Sequence, residues 1–332
     1  MSAATPHSTL PDVSVVVPTY RRPGMLARCL AALLAQTLPG GRYEIIVCDD
    51  APDPAVRALL EQLAPEGAGR PALRYLPVTA TQGPAGARNR GWRAARAPVV
   101  AFTDDDTVPD ARWLEAGLAA MTPDVDAVTG RVVMPVPDPP TDYERDAGRL
   151  AQAEFVTANC FVRRTVLERL GGFDERYSQA WREDSDLHFS LLEGGCRIER
   201  APDAVVVHPL RPVRFAAGLS MQRKVMFDAL LYRKHRLHYR QRIRRRPPWF
   251  YLLVTAVALA APVCLLAGWF AAAAAAAAAW LALTLGFFLR RLRGTALSVR
   301  NVADLALTSA LIPLLSIFWR LVGAWRFGRV AP

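Results

Sequence analysis

Val99-Val100-Ala101-Phe102-Thr103-Asp104-Asp105-Asp106 runs from four apolar residues into three consecutive carboxylates. The apolar part reads as a buried strand, and the acids stand where that strand surfaces. Three like charges side by side repel one another, and packing alone asks for none of them there. A cation is the natural compensation. Open α/β sheets take ligands at the carboxyl ends of their strands. A divalent ion held at such a rim can bridge to a diphosphate.

Outward from this stretch, strands and helices alternate. Val13–Val17 is a short apolar run closed by Pro18, followed by Met25, Leu26, Cys29, Leu30, Leu33 and Leu34 at helical spacing. Glu44–Cys48 is a second strand, emerging at Asp49-Asp50, and Val56, Leu59, Leu60 and Leu63 mark the next helix. Leu73–Leu76 is a third strand, and Gly83–Gly91 opens a helix running to about Ala95. The βαβα order predicts a parallel sheet covered on both faces. Further on, a helix at Trp113–Leu118 leads to a strand at Ala127–Val133. Met134 to Pro140 holds four prolines and reads as a loop or flap. Residues 142–154 read as helical, Val156–Val162 as a strand, Asp186–Leu192 as a helix, and Ala204–Val207 as a last strand ending at His208.

In a parallel sheet the strand ends share one edge. Pro18-Thr19-Tyr20, Asp49-Asp50 and Asp104-Asp105-Asp106 therefore meet. Tyr20 offers a face for a base, Asp49-Asp50 an acceptor for base or ribose, and the acidic triplet a seat for a divalent cation. Each feature alone also has a bland reading: a loop for Asp49-Asp50, a core ring for Tyr20, an ordinary ion pair for Arg88. Together they describe a nucleotide-diphosphate site.

With these motifs in order, the chain resembles family 2 glycosyltransferases of GT-A fold. The resemblance rests on Val13–Tyr20, Tyr43–Asp50, Ala87-Arg88-Asn89-Arg90-Gly91, Phe102–Asp106, Asn159–Arg164, Gly171–Glu175 and Glu183–Leu187, and it covers about residues 12–210. The fold it implies is a nucleotide-diphospho-sugar transferase α/β domain with a Rossmann-like, mainly parallel sheet. The activity it implies is inverting transfer of a sugar from a nucleotide-diphosphate donor, a UDP-sugar by family habit, with GDP and dTDP sugars open. Mg²⁺ or Mn²⁺ is expected at Asp104 and Asp106, with His208 completing the shell. Donor contacts are expected from Pro18, Tyr20, Asp50, Arg88, Asp104 and Asp105. Inversion in one displacement needs a base opposite the leaving group. The resemblance assigns that role to Asp184, with Glu183 next; a helix-capping acid is the alternative for Asp184. Trp181 and Asn159 are expected on the acceptor side. The chain lacks a Gln-x-x-Arg-Trp motif after Asp184, which argues against a processive polymerase and for one sugar per acceptor.

Composition divides the 332 residues. Residues 249–289 carry no charge, and one helix of that length would reach roughly 60 Å, twice a bilayer core of about 30 Å. A transmembrane hairpin with a break near Gly268 fits better. The net charge of +11 gathers beside it, in Arg240–Arg246 before and Arg290, Arg291 and Arg293 after. By the positive-inside rule both ends face the cytoplasm, so an inner-membrane, multi-pass protein with a cytoplasmic catalytic domain is expected. The basic balance beside an apolar hairpin favours anionic lipids over nucleic acid. Residues 1–11 read as a disordered N-terminus without a secretory core. Residues 211–248 read as a basic amphipathic juxtamembrane segment, and 290–332 as a basic loop plus a third apolar helix. Its core, 305–319, contains Pro313 and is expected to be interfacial or re-entrant rather than a third crossing. Five cysteines without a CxxC pair suggest neither disulfides nor zinc. The acceptor expected from this layout is lipid-linked or a glycolipid. A nucleotidyltransferase of similar fold, or an inactive membrane-tethered sugar-nucleotide binder, are the alternative classes. The first would need a glycine-rich basic loop after strand one, where Pro18–Pro23 stands; the second would not need the intact acids.

Overall fold

The computed structural model describes residues 10–64 and 69–329. The expected disordered segment 1–11 lies outside them except for its last two residues. The chain forms two compact units. One comprises Met1–Pro135 and Leu150–Pro209, the other Val136–Arg149 and Leu210–Pro332. Residues 136–149, expected within the first domain, thus belong to the second unit.

The first unit is built on eight strands: β1 Val13–Thr19, β2 Tyr43–Asp49, β3 Ala72–Pro77, β4 Val99–Phe102, β5 Val108–Pro109, β6 Ala127–Val133, β7 Cys160–Arg163 and β8 Ile198–Val207. They form one sheet in the order β3-β2-β1-β4-β7-β6-β8-β5. The first four are mutually parallel. β7 then enters antiparallel to β4 and to β6, while β6 and β8 pair in parallel. The sheet is therefore mixed beyond β4 and mainly parallel overall, as the expected fold has it. Helices α1 Pro23–Leu34, α2 Pro54–Leu63, α3 Pro84–Ala94 and α4 Trp113–Ala120 connect the strands.

β1 and β2 are buried along nearly their whole length, as strands covered on both faces must be. Val13, Val15, Val17, Ile45 and Val47 join Leu26, Leu30, Leu33 and Trp113 in one core. Each such side chain contributes about 1.5–3 kcal/mol by leaving water. Gly91 of α3 permits close approach, since a Cβ there would fall on the Val16 side chain and the Cys48 sulfur. Proline at the first turn of α1, α2 and α3 fixes three helix starts just past strand ends.

Two expectations shorten. The strand foreseen at Val156–Val162 begins only at Cys160, because Asn159 N closes a turn on Val156 O at 3.2 Å. The helix foreseen at 142–154 is α5 Asp142–Ala147, followed by a 3₁₀ stretch Gly148–Gln152. A Thr141/Glu144 capping box starts it and Gly148 ends it. Helix α6 Arg164–Leu170 and the two-residue β5 had no counterpart in the sequence reading. Helix α7 spans Glu183–Glu193.

The second unit carries three helices long and apolar enough to cross a membrane: Trp249–Leu266, Phe270–Leu292 and Val299–Phe327. Gly268, with φ 77°, turns the chain between the first two, where the break was expected. The third runs unbroken through Pro313 for 29 residues, so the re-entrant form of the expectation does not hold. It also differs from its neighbours in burial, 28 % of its apolar window against 6 % in each of the others. Segment 216–234 covers it: Ala216 N donates to Asp304 at 2.5 Å, Arg320 pairs with Asp228 at 3.2 Å, and Arg233 donates to Phe327 O at 3.0 Å.

Candidate active site

The rim of the parallel strands is built from their last residues. In register, Thr19 stands beside Asp49, and β4 ends one strand over. The chain then makes a tight turn through the three acids. Thr107 fixes it: its N–H and its hydroxyl both donate to Asp104 O, at 3.2 and 2.7 Å. Thr103 lies 2.7 Å from the Thr107 hydroxyl and donates to Ala158 O, while the Cys29 thiol donates to Asp104 O from below.

The three carboxylates do not act alike. Asp105 is turned inward and 1 % exposed. It accepts from the Thr19 hydroxyl at 2.8 Å and pairs with Arg22 at 3.2 Å. Burial pushes its pKa up to about 6, against the pull of Arg22 and Thr19 and with the push of Asp106 and Asp104. It braces the turn rather than facing a donor, a correction to its expected role. Asp104 and Asp106 instead meet His208, and one ligand atom from each lies within 4.8 Å of the others. His208 Nε2 is 3.7 Å from Asp106 Oδ1. The unforeseen strand β5 explains the meeting, because Val108 pairs with Val207 and so sets His208 beside the acids. Two carboxylates and an imidazole form a donor set that suits Mg²⁺ or Mn²⁺.

Arg88 ties the acidic turn to α7. Its Nη2 donates to Asp104 Oδ1 at 2.6 Å and its Nη1 to Glu183 Oε1 at 3.3 Å, with 3 % of the residue exposed. Burial works to lower the arginine's pKa, but the charges of Asp104 and Glu183 override it and the net shift is upward. Glu183 is pushed up to about 7, first by burial and then by the charge of Asp184, with Arg88 pulling down. Burial also raises Asp184, against its hydrogen bond from Ser185 N. That bond, at 2.6 Å, is made from the first turn of the helix, so Asp184 is not the cap residue. The cap position belongs to Arg182, in a left-handed conformation at φ 74°. Trp181, 39 % exposed, carries the Arg182 guanidinium 4.8 Å over its ring.

The remaining expected residues divide. Tyr20 is 47 % exposed just past the end of β1, with the Arg21 guanidinium 5.3 Å over its ring. Asp50 is occupied: both its oxygens accept from Gly83 N, at 2.9 and 2.8 Å, where Gly83 has φ 117° at the start of α3. Burial still raises its pKa. Asn159 is a correction. It is wholly buried, accepts from Trp113 Nε1 at 2.8 Å, and donates to Arg131 O and Ala204 O at 3.0 and 2.8 Å. It fills the register shift between β6 and β8 at Gly130/Arg131 and has no face for an acceptor. The sequence reading missed Arg22, Thr103 and Thr107; hydroxyls on both sides of an acid run were the available signal.

The family described as Glycosyl transferase family 2 matches residues 14–173, and that described as Glycosyl transferase family group 2 matches residues 99–289. Glycosyltransferase AglE of Haloferax volcanii is 29 % identical over 245 residues, covering 68 % of this chain and 78 % of its own. The pre-mycofactocin glycosyltransferase of Mycobacterium tuberculosis is 30 % identical over 60 % of this chain, which spans less than half of that protein. Among solved structures, the Pyrobaculum calidifontis mannosyltransferase PcManGT, in complex with GDP-Man and Mn²⁺, superposes with a TM-score of 0.55 at 23 % identity, covering 97 % of this chain and 89 % of that one. At that identity the likeness speaks for the fold.

Proposed function

The chain belongs to glycosyltransferase family 2, and from that premise we propose that it is an inverting enzyme moving one sugar from a nucleotide-diphosphate donor to a lipid-linked acceptor at a membrane. The observation that carries the reading is Arg88, buried between Asp104 and Glu183. It joins the acidic turn to the base-bearing helix within one unit.

Asp104, Asp106 and His208 would hold a divalent ion, which supplies charge neutralisation for the departing diphosphate. Asp184, partly exposed at the head of α7, takes the proton of the acceptor hydroxyl as the new bond forms on the opposite face of the sugar. Its raised pKa makes it a better proton acceptor than a free carboxylate. Glu183 stays partly protonated near neutrality, so only one of the two neighbours need be charged. Tyr20 stacks on the base, and Arg88 exchanges its acid contacts for the donor's diphosphate oxygens. Trp181 offers its exposed face to a sugar ring.

Two features support a membrane acceptor: the three apolar helices, and the basic segment 211–246 that leads into them. The third helix, sheathed by charged segment 216–234, fits an interfacial lie better than a lipid-wrapped crossing. The GDP-Man bound to PcManGT puts GDP-sugars beside UDP-sugars as first candidates.

The test is a donor panel of UDP-, GDP- and dTDP-sugars with Mn²⁺ or Mg²⁺, on the full-length protein, scoring nucleoside diphosphate release. Metal-dependent release with inverted product, faster with a lipid-phosphate acceptor than with a soluble sugar, is expected. Pyrophosphate as product, or turnover indifferent to metal and to Asp184→Asn, sinks the reading.

A further inference from the structure

We propose that Arg290 and the Tyr251 hydroxyl form a binding site for a phosphate group carried by a membrane lipid, at the polar end of the apolar hairpin. The proposal rests on the reading that the hairpin sits in a bilayer. It is independent of the donor chemistry.

Because the chain turns at Gly268, the start of helix Trp249–Leu266 and the end of helix Phe270–Leu292 lie at the same end of the hairpin. There three rings pack together: Phe250 and Phe287 at 5.3 Å between centroids, Tyr251 and Phe287 at 5.8 Å, Phe250 and Tyr251 at 6.1 Å. The Arg290 guanidinium lies over two of them, 5.1 Å from Phe250 and 5.6 Å from Phe287, and Arg291 lies 5.3 Å over Phe287. Rings hold guanidinium planes in place, so these two cations are positioned before any ligand arrives.

The two neighbours then differ. Arg291 is engaged by Asp142 at 2.7 Å and by Thr308 and Ser309 at 3.0 Å each. Arg290 has no carboxylate partner among the described residues. The Tyr251 ring packs 5.8 Å from the Phe287 ring that carries both guanidiniums, and its hydroxyl has no hydrogen-bond partner among the described residues. The acids of this unit that pair with these arginines are already shared out: Asp142 holds both Arg145 and Arg291, and Asp228 holds Arg320.

The cluster therefore has cationic donors in excess and a neutral O–H among them, a set that suits a tetrahedral oxyanion. Its place fixes the source. Trp249 and Leu253 beside it are 65 % and 50 % exposed and face the hydrocarbon in a bilayer, so the anion arrives on a lipid. Arg244, Arg245 and Arg246 in the basic run before the hairpin lack the aromatic seat and serve as internal controls.

Full-length protein in neutral detergent is titrated with a long-chain isoprenyl monophosphate, the matching isoprenol, phosphatidylglycerol and inorganic phosphate, and bound lipid is counted by native mass spectrometry. Both phosphate lipids should be retained and the isoprenol should not. Arg290→Gln, alone or combined with Tyr251→Phe, should weaken retention about tenfold or more. Arg245→Gln and Arg246→Gln should change it less than about twofold, and all variants should keep the parent's melting temperature. A preference for the monoester assigns the site to a phosphorylated acceptor; a preference for the diester assigns it to a resident headgroup. Isoprenol retained as well as its phosphate, inorganic phosphate saturating the site as well as the lipid does, or equal losses at Arg245 and Arg290 would overturn the proposal. The bilayer reading fails separately, if the full chain stays monodisperse without detergent and ignores vesicles.

Discussion

At the sheet rim one arginine, Arg88, serves two carboxylates, Asp104 and Glu183, with Asp106 beside His208. At the hairpin end one carboxylate, Asp142, serves two arginines, Arg145 and Arg291, with Arg290 resting on rings. The same ions are used in both places with the excess reversed. On the readings proposed above, the acid-rich cluster beside a histidine would be completed by a cation, and the arginine-rich cluster beside a phenol by an anion. In each, the ion pair would then be the scaffold and the surplus charge the functional part. Breaking scaffold and surplus separately tests that division.

The largest effects belong to the surplus at the rim. Asp106→Ala should abolish metal-stimulated turnover, a fall of about 10³-fold or more, and erase the thermal shift that Mn²⁺ gives the parent. Asp184→Asn should cost about 10²–10⁴-fold in turnover while leaving that thermal shift intact. Equal loss of the metal response in both variants would mean that Asp184 belongs to the ion's seat rather than to the acceptor side.

Scaffold changes come next and should appear as stability. Arg88→Met leaves Asp104 and Glu183 facing each other in a buried space, an uncompensated arrangement costing about 3–5 kcal/mol. Adding Glu183→Gln to it should recover part of that loss, which a simple packing defect would not show. Asp142→Asn at the hairpin should cost less, about 1–2 kcal/mol. Arg145 is one-third exposed, and Arg291 keeps Thr308 and Ser309. A larger effect at Asp142 than at Arg88 would break the comparison.

The sequence carried the succession of strands and helices up to β4, because each strand there is an apolar run with a punctuated end. The family resemblance, rather than local pattern, set His208 beside Asp104 and Asp106, and Glu183 beside Asp184. What the sequence could not carry was direction. Asp105 and Asp106 are adjacent and identical in type, yet one braces Thr19 and Arg22 while the other meets His208; the turn geometry set by Thr107 decides. The resemblance expects Asn159 on the acceptor side; the structure gives it another use. Its work is to satisfy carbonyls left over by a β6–β8 register shift, which depends on residues 130 and 204 at once. The two-residue β5 is too short for any periodicity, although it places the histidine. Residues 136–149 leave the first unit because Asp142 and Arg145 find partners at Arg291 and Arg293 O, about 150 positions away, and local pattern holds no trace of that.

The smallest prediction concerns Glu183 in the metal-free, donor-free protein. Burial, then the Asp184 charge, place its folded-state pKa at about 7, above the ordinary 4.5. The native state therefore binds the Glu183 proton more tightly than the unfolded chain does. Its contribution to stability is present in full below about pH 4.5 and is lost as pH rises through about 7. The parent should accordingly lose melting temperature relative to Glu183→Gln across that window, by a few degrees. Glutamine keeps the shape and has no proton to lose. A parent and Glu183→Gln pair that melt in parallel from acid to neutral pH would show that Arg88 compensates Glu183 completely. The rim would then hold no surplus acid at that position.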